Sequence, residues 1–191
     1  MKMSDRRKVI LVTDGDSVAR RATEVAAQNI GARCISQSGG HPTPISGGEI
    51  VRLILEAAHD PVVVMLDDRG RVGQGKGETA LEYIARHPGI EILGALAVAS
   101  NTEHTRALAI EESMARNGEL VFGPVDKYGN PEEPGHRYQE GDTIEVLTRL
   151  RIPNVIGIGD IGKMDFQDDP DLGAPITTAA MQEILNRSGF R

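Results

Sequence analysis

Acidic residues stand directly after three short apolar runs of this chain. Asp14 and Asp16 follow Lys8-Val9-Ile10-Leu11-Val12-Thr13. Asp67 and Asp68 follow Pro61-Val62-Val63-Val64-Met65-Leu66. Asp160 follows the run from Asn154 to Ile158, after Gly159. Carboxylate oxygens gathered without nitrogen or sulfur ligands suit Mg²⁺ or Ca²⁺. Crowded carboxylates repel one another, so such a group takes a cation or raises the pKa of one member. Taken singly, each Asp also reads as a helix cap or a turn residue. The choice between these readings turns on whether the apolar runs are parallel strands ending at one edge.

A second candidate is Gly70-Arg71-Val72-Gly73-Gln74-Gly75-Lys76, which fits the first seven positions of a phosphate-binding P-loop. The eighth position is Gly77, where the Mg²⁺-binding hydroxyl belongs. Gly73, Gly75 and Lys76 remain a candidate anion holder at a helix start; the plain alternative is a glycine-rich surface loop. His41, His59, His87, His104 and His136 are scattered, with no zinc spacing. Lys163 beside Asp160 reads as a surface ion pair.

The elements that must position these residues follow from periodicity. Val62 to Leu66 is an unbroken β-branched run, as expected of a strand buried on both faces of a parallel sheet. In such sheets ligands sit beyond the carboxyl ends of the strands. Strands are predicted over Lys8–Thr13, Arg33–Ser36, Val62–Leu66, Ile90–Ala99 and Asn154–Ile158. A helix capped by Asp16 or Ser17 should bury Val18, Ala22, Val25, Ala26 and Ile30. A second starts at Ser46, which has capping-box spacing to Glu49, and turns Ile50, Leu53, Ile54 and Ala57 inward. Further helices carry Ala80, Leu81 and Ile84, then span Thr143–Leu150 and Ile176–Arg187. Between Thr102 and Gly141 the alternation breaks. There Asn117-Gly118 favours a two-residue type I′ hairpin turn, read as lying outside the main sheet and offering a docking surface.

The expected fold is a three-layer, doubly wound α/β domain over residues 1–191. Its sheet is mainly parallel and Rossmann-like, with a β-hairpin excursion at 102–141. If the first, third and fifth strands are adjacent, Asp14, Asp16, Asp67 and Asp68 share a mouth, completed by Asp160. Receiver domains share this layout, with Asp14/Asp16, Asp67, Ser100 and Lys163 in the matching places. So do Toprim domains. A shared layout transfers no activity.

Composition narrows the partners. Charged residues are 26% and apolar residues 39%, ordinary for a globular chain, while aromatics are 3%, so the core must be aliphatic. A net charge of -7 argues against nucleic acid or anionic lipid as the main partner. The single cysteine, Cys34, reads as a small core residue. The basic N-terminus precedes an apolar run too short for a signal peptide, and no stretch is long enough to span a bilayer.

Longer motifs add a resemblance. They are Lys8-Val9-Ile10-Leu11-Val12-Thr13-Asp14-Gly15-Asp16, Gly40-His41-Pro42-Thr43-Pro44, Val98-Ala99-Ser100-Asn101, Val125-Asp126-Lys127-Tyr128-Gly129-Asn130-Pro131-Glu132-Glu133 and Gly157-Ile158-Gly159-Asp160-Ile161-Gly162-Lys163-Met164. Together they resemble the soluble form of the stage V sporulation protein AE family, within the SpoVA group, over nearly the whole chain. His41 departs from that pattern, standing where Asn is expected. The resemblance implies a spore former, and a place in the machinery that moves dipicolinic acid with Ca²⁺ into the spore and out on germination. It implies other SpoVA proteins as partners, and a position peripheral to the spore inner membrane or in the forespore cytoplasm. It brings no catalytic residues. The expected function is therefore a non-enzymatic accessory role. The alternative is a Mg²⁺-dependent, Toprim-like phosphoryl-transfer or nuclease-type enzyme, whose chemistry wants a Glu beside the first strand that this chain lacks.

Overall fold

The computed structural model describes residues 6–69, 75–100, 106–141 and 143–190. In chain order the elements are β1 (Arg7–Val12), α1 (Ser17–Asn29), β2 (Arg33–Cys34), α2 (Gly47–Glu56), β3 (Val62–Met65), α3 (Lys76–Ala85) and β4 (Ile90–Val98). After these come β5 (Arg106–Ala109), β6 (Glu112–Met114), β7 (Leu120–Phe122), β8 (Tyr138–Gly141), α4 (Glu145–Arg149), β9 (Val155–Ile158) and α5 (Pro175–Ser188). Seven strands form one sheet in the order β2-β3-β1-β4-β9-β6-β7, and β5 and β8 form a separate two-stranded ribbon. Every pairing in the large sheet is parallel except β6 with β7. The mixed α/β architecture is the one read from periodicity.

Alternation along the strands makes two cores. Ile10, Val12, Val63, Met65, Leu96, Val98, Ile156 and Ile158 face α1 and α5. Val9, Leu11, Val62, Val64, Ala95 and Ala97 face α2, α3 and α4. Both layers are almost wholly aliphatic. The stripe of α1 is rotated from expectation: Ala19, Ala22, Thr23, Ala26 and Ala27 are buried, whereas Val25 and Ile30 pack at the margin. Small side chains let this helix lie close to the sheet. Cys34 lies half-buried at the end of β2, where burial pushes its thiol up to about 12.

The helix boundaries follow the caps. Asp16 accepts from the Val18 and Ala19 N–H groups, and Ser46 from that of Glu49 at 3.2 Å, each satisfying donors that the first helical turn leaves open. Gly31 and Gly189, at φ +71° and +69°, end α1 and α5 as expected of left-handed glycine stops.

Two expectations are corrected. The hairpin about Asn117-Gly118 does not lie outside the main sheet: β6 pairs with β9 in parallel, Ser113 opposite Gly157 and Met114 opposite Ile158. Nor is its turn type I′, which needs two positive φ values. Only Gly118 has one, at +80°, and the Ala115 carbonyl accepts from the Gly118 N–H at 2.8 Å. What stands apart from the sheet is the β5–β8 ribbon. Gln139 on β8 ties it down, donating to the carbonyls of Ala97 and Ile158 and accepting from the Val125 N–H.

Candidate functional site

The loops after β1, β3, β4 and β9 meet at the carboxyl edge of the sheet, around a pocket of about 260 Å³. Its walls include Asp14, Asp16, His41, Asp67, Ser100 and Lys163. The strand order is not the one supposed, because β4 lies between β1 and β9. Asp160 nevertheless reaches Asp14 and Asp16, because the loop after β9 turns back over α1. Gly162, at φ +78°, permits this close approach: a Cβ there would stand 3.0 Å from the Val18 carbonyl oxygen and the Ala22 side chain. Gly15 closes the opposite wall, since a Cβ on it would sit 2.6 Å from the Gly40 carbonyl oxygen.

The carboxylates divide into three groups. One oxygen from each of Asp14, Asp16 and Asp160 lies within 4.8 Å of the other two. Lys163 crosses this trio, its Nζ donating to Asp16 Oδ2 at 3.0 Å and to both oxygens of Asp160 at 3.1 Å. Asp67 lines the same pocket but is engaged by His41 Nδ1 at 2.8 Å and accepts from the Arg69 N–H at 2.6 Å. Asp68 leaves the expected group altogether. Successive residues of an extended chain point to opposite sides, so its carboxylate faces α3. There it accepts from the Gly77 N–H at 2.6 Å, the Glu78 N–H at 3.0 Å and the Thr143 hydroxyl at 2.9 Å.

Charge follows this geometry. Burial raises the Asp14 pKa from 3.8 to about 7, reinforced by the neighbouring Asp16, Asp67 and Asp160 charges. Asp14 accepts from the Gly15 and Asp16 N–H groups, yet has no ion pair among the described residues. For Asp16, burial is outweighed by the α1 N–H groups and Lys163, which hold its pKa below the usual range. Burial lifts the Asp160 pKa against the pull of Lys163. The Lys163 ammonium loses water on burial, but its two carboxylates raise its pKa overall. The trio is thus an oxygen-lined site with one lysine standing where a metal cation would compete.

Comparison with known families gives one result: the family described as stage V sporulation protein AE1 matches residues 8–188. The chain belongs to this family. A sporulation-related role comes with that membership. Comparison with curated proteins and with solved structures gave no match. Among the described residues, no helix is long and apolar enough to cross a membrane.

The anion-holder reading meets a different arrangement in this sporulation protein. Gly73 lies outside the described residues. Gly75 and Lys76 begin α3, but the N–H groups that would face an external anion already donate to Asp68. Gly77 is required there, because a Cβ would come 2.7 Å from the Asp67 nitrogen. Two contributors escaped the sequence reading. His41 was a lone loop residue, and nothing but its Gly-Gly setting hinted that it would fold over Asp67. Asp168 stands in a stretch with Asp165, Asp169 and Asp171 whose composition suggests a solvated loop, yet it is fully buried. It accepts from the N–H groups of Gly162, Ile176 and Thr177 and from the Thr177 hydroxyl at 2.6 Å, which locks the Asp160–Lys163 loop to the start of α5.

Proposed function

We propose that this sporulation protein is a non-enzymatic accessory component of the SpoVA machinery that handles dipicolinic acid and Ca²⁺. In this reading it acts beside other SpoVA proteins at the spore inner membrane, and the Asp14–Asp16–Asp160 trio takes a divalent cation. The observation that carries the cation role is the trio itself, three oxygen ligands within 4.8 Å of one another and a single lysine between them. Family membership supports the sporulation setting. Hard oxygen ligands favour Ca²⁺ or Mg²⁺ over softer ions, and a set of only three protein carboxylates, which leaves the remaining positions to water, suits weak binding, roughly 10⁻⁴ to 10⁻³ M.

Millimolar Ca²⁺ should raise the melting temperature of the purified protein, and Asp160→Asn should abolish the rise. In a deletion strain, wild-type protein should restore dipicolinate release on germination and Asp160→Asn should not. An equal melting shift in wild type and variant removes the cation site. Full rescue by the variant removes its link to release.

One observation favours a second reading, Mg²⁺-dependent phosphoryl transfer. Asp14, Asp16, Asp67, Ser100 and Lys163 line one pocket, as a receiver-like layout requires. Against it, Lys163 contacts Asp16 and Asp160, while Asp67 is engaged by His41. Metal-dependent hydrolysis of p-nitrophenyl phosphate, lost in Asp14→Asn, would establish the enzymatic reading in place of the accessory one.

A further inference from the structure

The seven-stranded sheet ends at β2 on one side and at β7 on the other, and the two edges are finished differently. We infer that β7 is a self-association edge, which pairs antiparallel with β7 of a second copy of this chain about a twofold axis at Val121. This edge takes no part in the cation site.

The backbone of β7 leaves hydrogen-bonding groups open. In an antiparallel pair every second residue turns its N–H and C=O toward the neighbour, and the residues between turn theirs away. The Ala115 N–H donates to the Glu119 carbonyl at 2.9 Å, and the Gly123 N–H to the Glu111 carbonyl at 2.7 Å. With Val121 opposite Ser113, this parity commits Val121 to β6 and turns the backbone groups of Leu120 and Phe122 outward, where no further strand follows among the described residues. A twofold axis at Val121 sets Leu120 opposite the partner's Phe122, and Phe122 opposite the partner's Leu120. The open groups then meet as hydrogen-bonded pairs, with Val121 facing the partner's Val121 between them.

The side chains favour the same pairing. Natural sheet edges are blunted by shortness, charge or proline. The β2 edge fits that rule, being two residues long and opening with exposed Arg33. Within Leu120–Phe122 there is no charge and no proline. Phe122 is 89% exposed, the most of any large apolar side chain among the described residues, and Leu120 is 39% exposed. Alternate residues of a strand share a face, so the two stand together. Their face is that of α5, because Glu112, opposite Phe122, pairs with Arg187 at 2.6 Å. Edge pairing lays each Phe122 beside the partner's Leu120, an aromatic–aliphatic cross-strand pair, and takes both out of water. Gly123, at φ +82°, and Pro124 then end the ladder, so the contact is short.

Charge selects a second copy rather than an unrelated strand. In this pairing exposed Glu119 comes opposite the partner's Gly123. The His136 carbonyl oxygen lies 3.7 Å from where a Cβ on Gly123 would stand, which puts exposed Arg137 beside that glycine. Neither Glu119 nor Arg137 makes an ion pair among the described residues. Self-pairing therefore sets a carboxylate toward a guanidinium at each end of an apolar centre, and brings no like charges opposite one another. A twofold contact needs a patch complementary to itself, and this edge is one.

The test is sedimentation of the full chain from about 1 µM to about 1 mM, the range of weak association. The mass should climb from 20.5 kDa toward double. Phe122→Lys alters an exposed side chain, so it should leave the melting curve in place while weakening the dimer by about tenfold or more. Register is read by oxidative cross-linking. Facing Val121 residues form a wide pair with Cα atoms about 4.5 Å apart, within disulfide reach. Two Leu120 residues lie diagonally, beyond the reach of about 7 Å. Val121→Cys should therefore cross-link far more than Leu120→Cys, although Leu120 is the more exposed, and Cys34 stays protonated and unreactive. A wild type that remains monomeric throughout overturns the inference and leaves the edge to a strand of another protein. Dimerisation of Phe122→Lys equal to wild type, or cross-linking of Leu120→Cys equal to that of Val121→Cys, overturns it as well.

Discussion

At the scale of single residues, Asp14 sets the pH behaviour. Its carboxyl titrates near 7 in the folded protein and near 3.8 when unfolded. The folded state therefore holds a proton that the unfolded state has released, and stability falls as pH rises from about 4 through 7. Below that window both states are protonated and the penalty vanishes. Asp14→Asn keeps the shape and removes the charge, so the variant should melt above wild type at pH 8. The two should converge toward pH 4. Melting curves across that range check it, and a constant offset at every pH would sink the account. That one carboxyl would be raised was legible from the crowding of carboxylates after the strands, although burial is the larger cause. That it would fall on Asp14 was not, because the capping of Asp16 by α1 and the reach of Lys163 are tertiary facts.

At the scale of elements, two carboxylates act as internal caps rather than ligands. Asp68 closes the start of α3 and holds Thr143 before α4. Asp168 closes the start of α5 and holds the loop after β9. Asp168→Ala would strand three N–H groups and a hydroxyl in the interior, and should cost about 3 kcal/mol or more. Urea denaturation measures it, and a loss below about 1 kcal/mol would show that water replaces the carboxylate. The order of strands and helices was readable because Val, Ile and Leu runs alternate with capped amphipathic stretches. The placement of β6 was not readable. Its pairing with β9 depends on Gly157, whose missing side chain leaves room for Ser113 and Gln139, and no local signal announces that. For the same reason, replacing residues 110–141 with a short linker should unfold the protein, since it removes β6, β7 and Gln139 together. A cooperative native-like melt of the trimmed chain would contradict this.

At the scale of the whole molecule, acidity and the lack of a spanning helix among the described residues set the membrane behaviour. With a net charge of -7, the purified protein should fail to float with anionic vesicles when no partner is present, because like charges repel at the surface. Tight flotation under those conditions would mean that the protein itself carries a lipid-binding face. Attachment to the spore membrane, in the proposed reading, then comes through protein contacts, and finding those contacts is an experimental matter for which the fold supplies a tool. Cys34 is the only thiol in 191 residues, and its half-buried position holds it in the protonated, unreactive form at neutral pH. A second cysteine placed at Phe122, on the outer strand of the sheet and 89% exposed, would therefore carry a maleimide probe or photo-crosslinker almost alone, with Cys34 left in place.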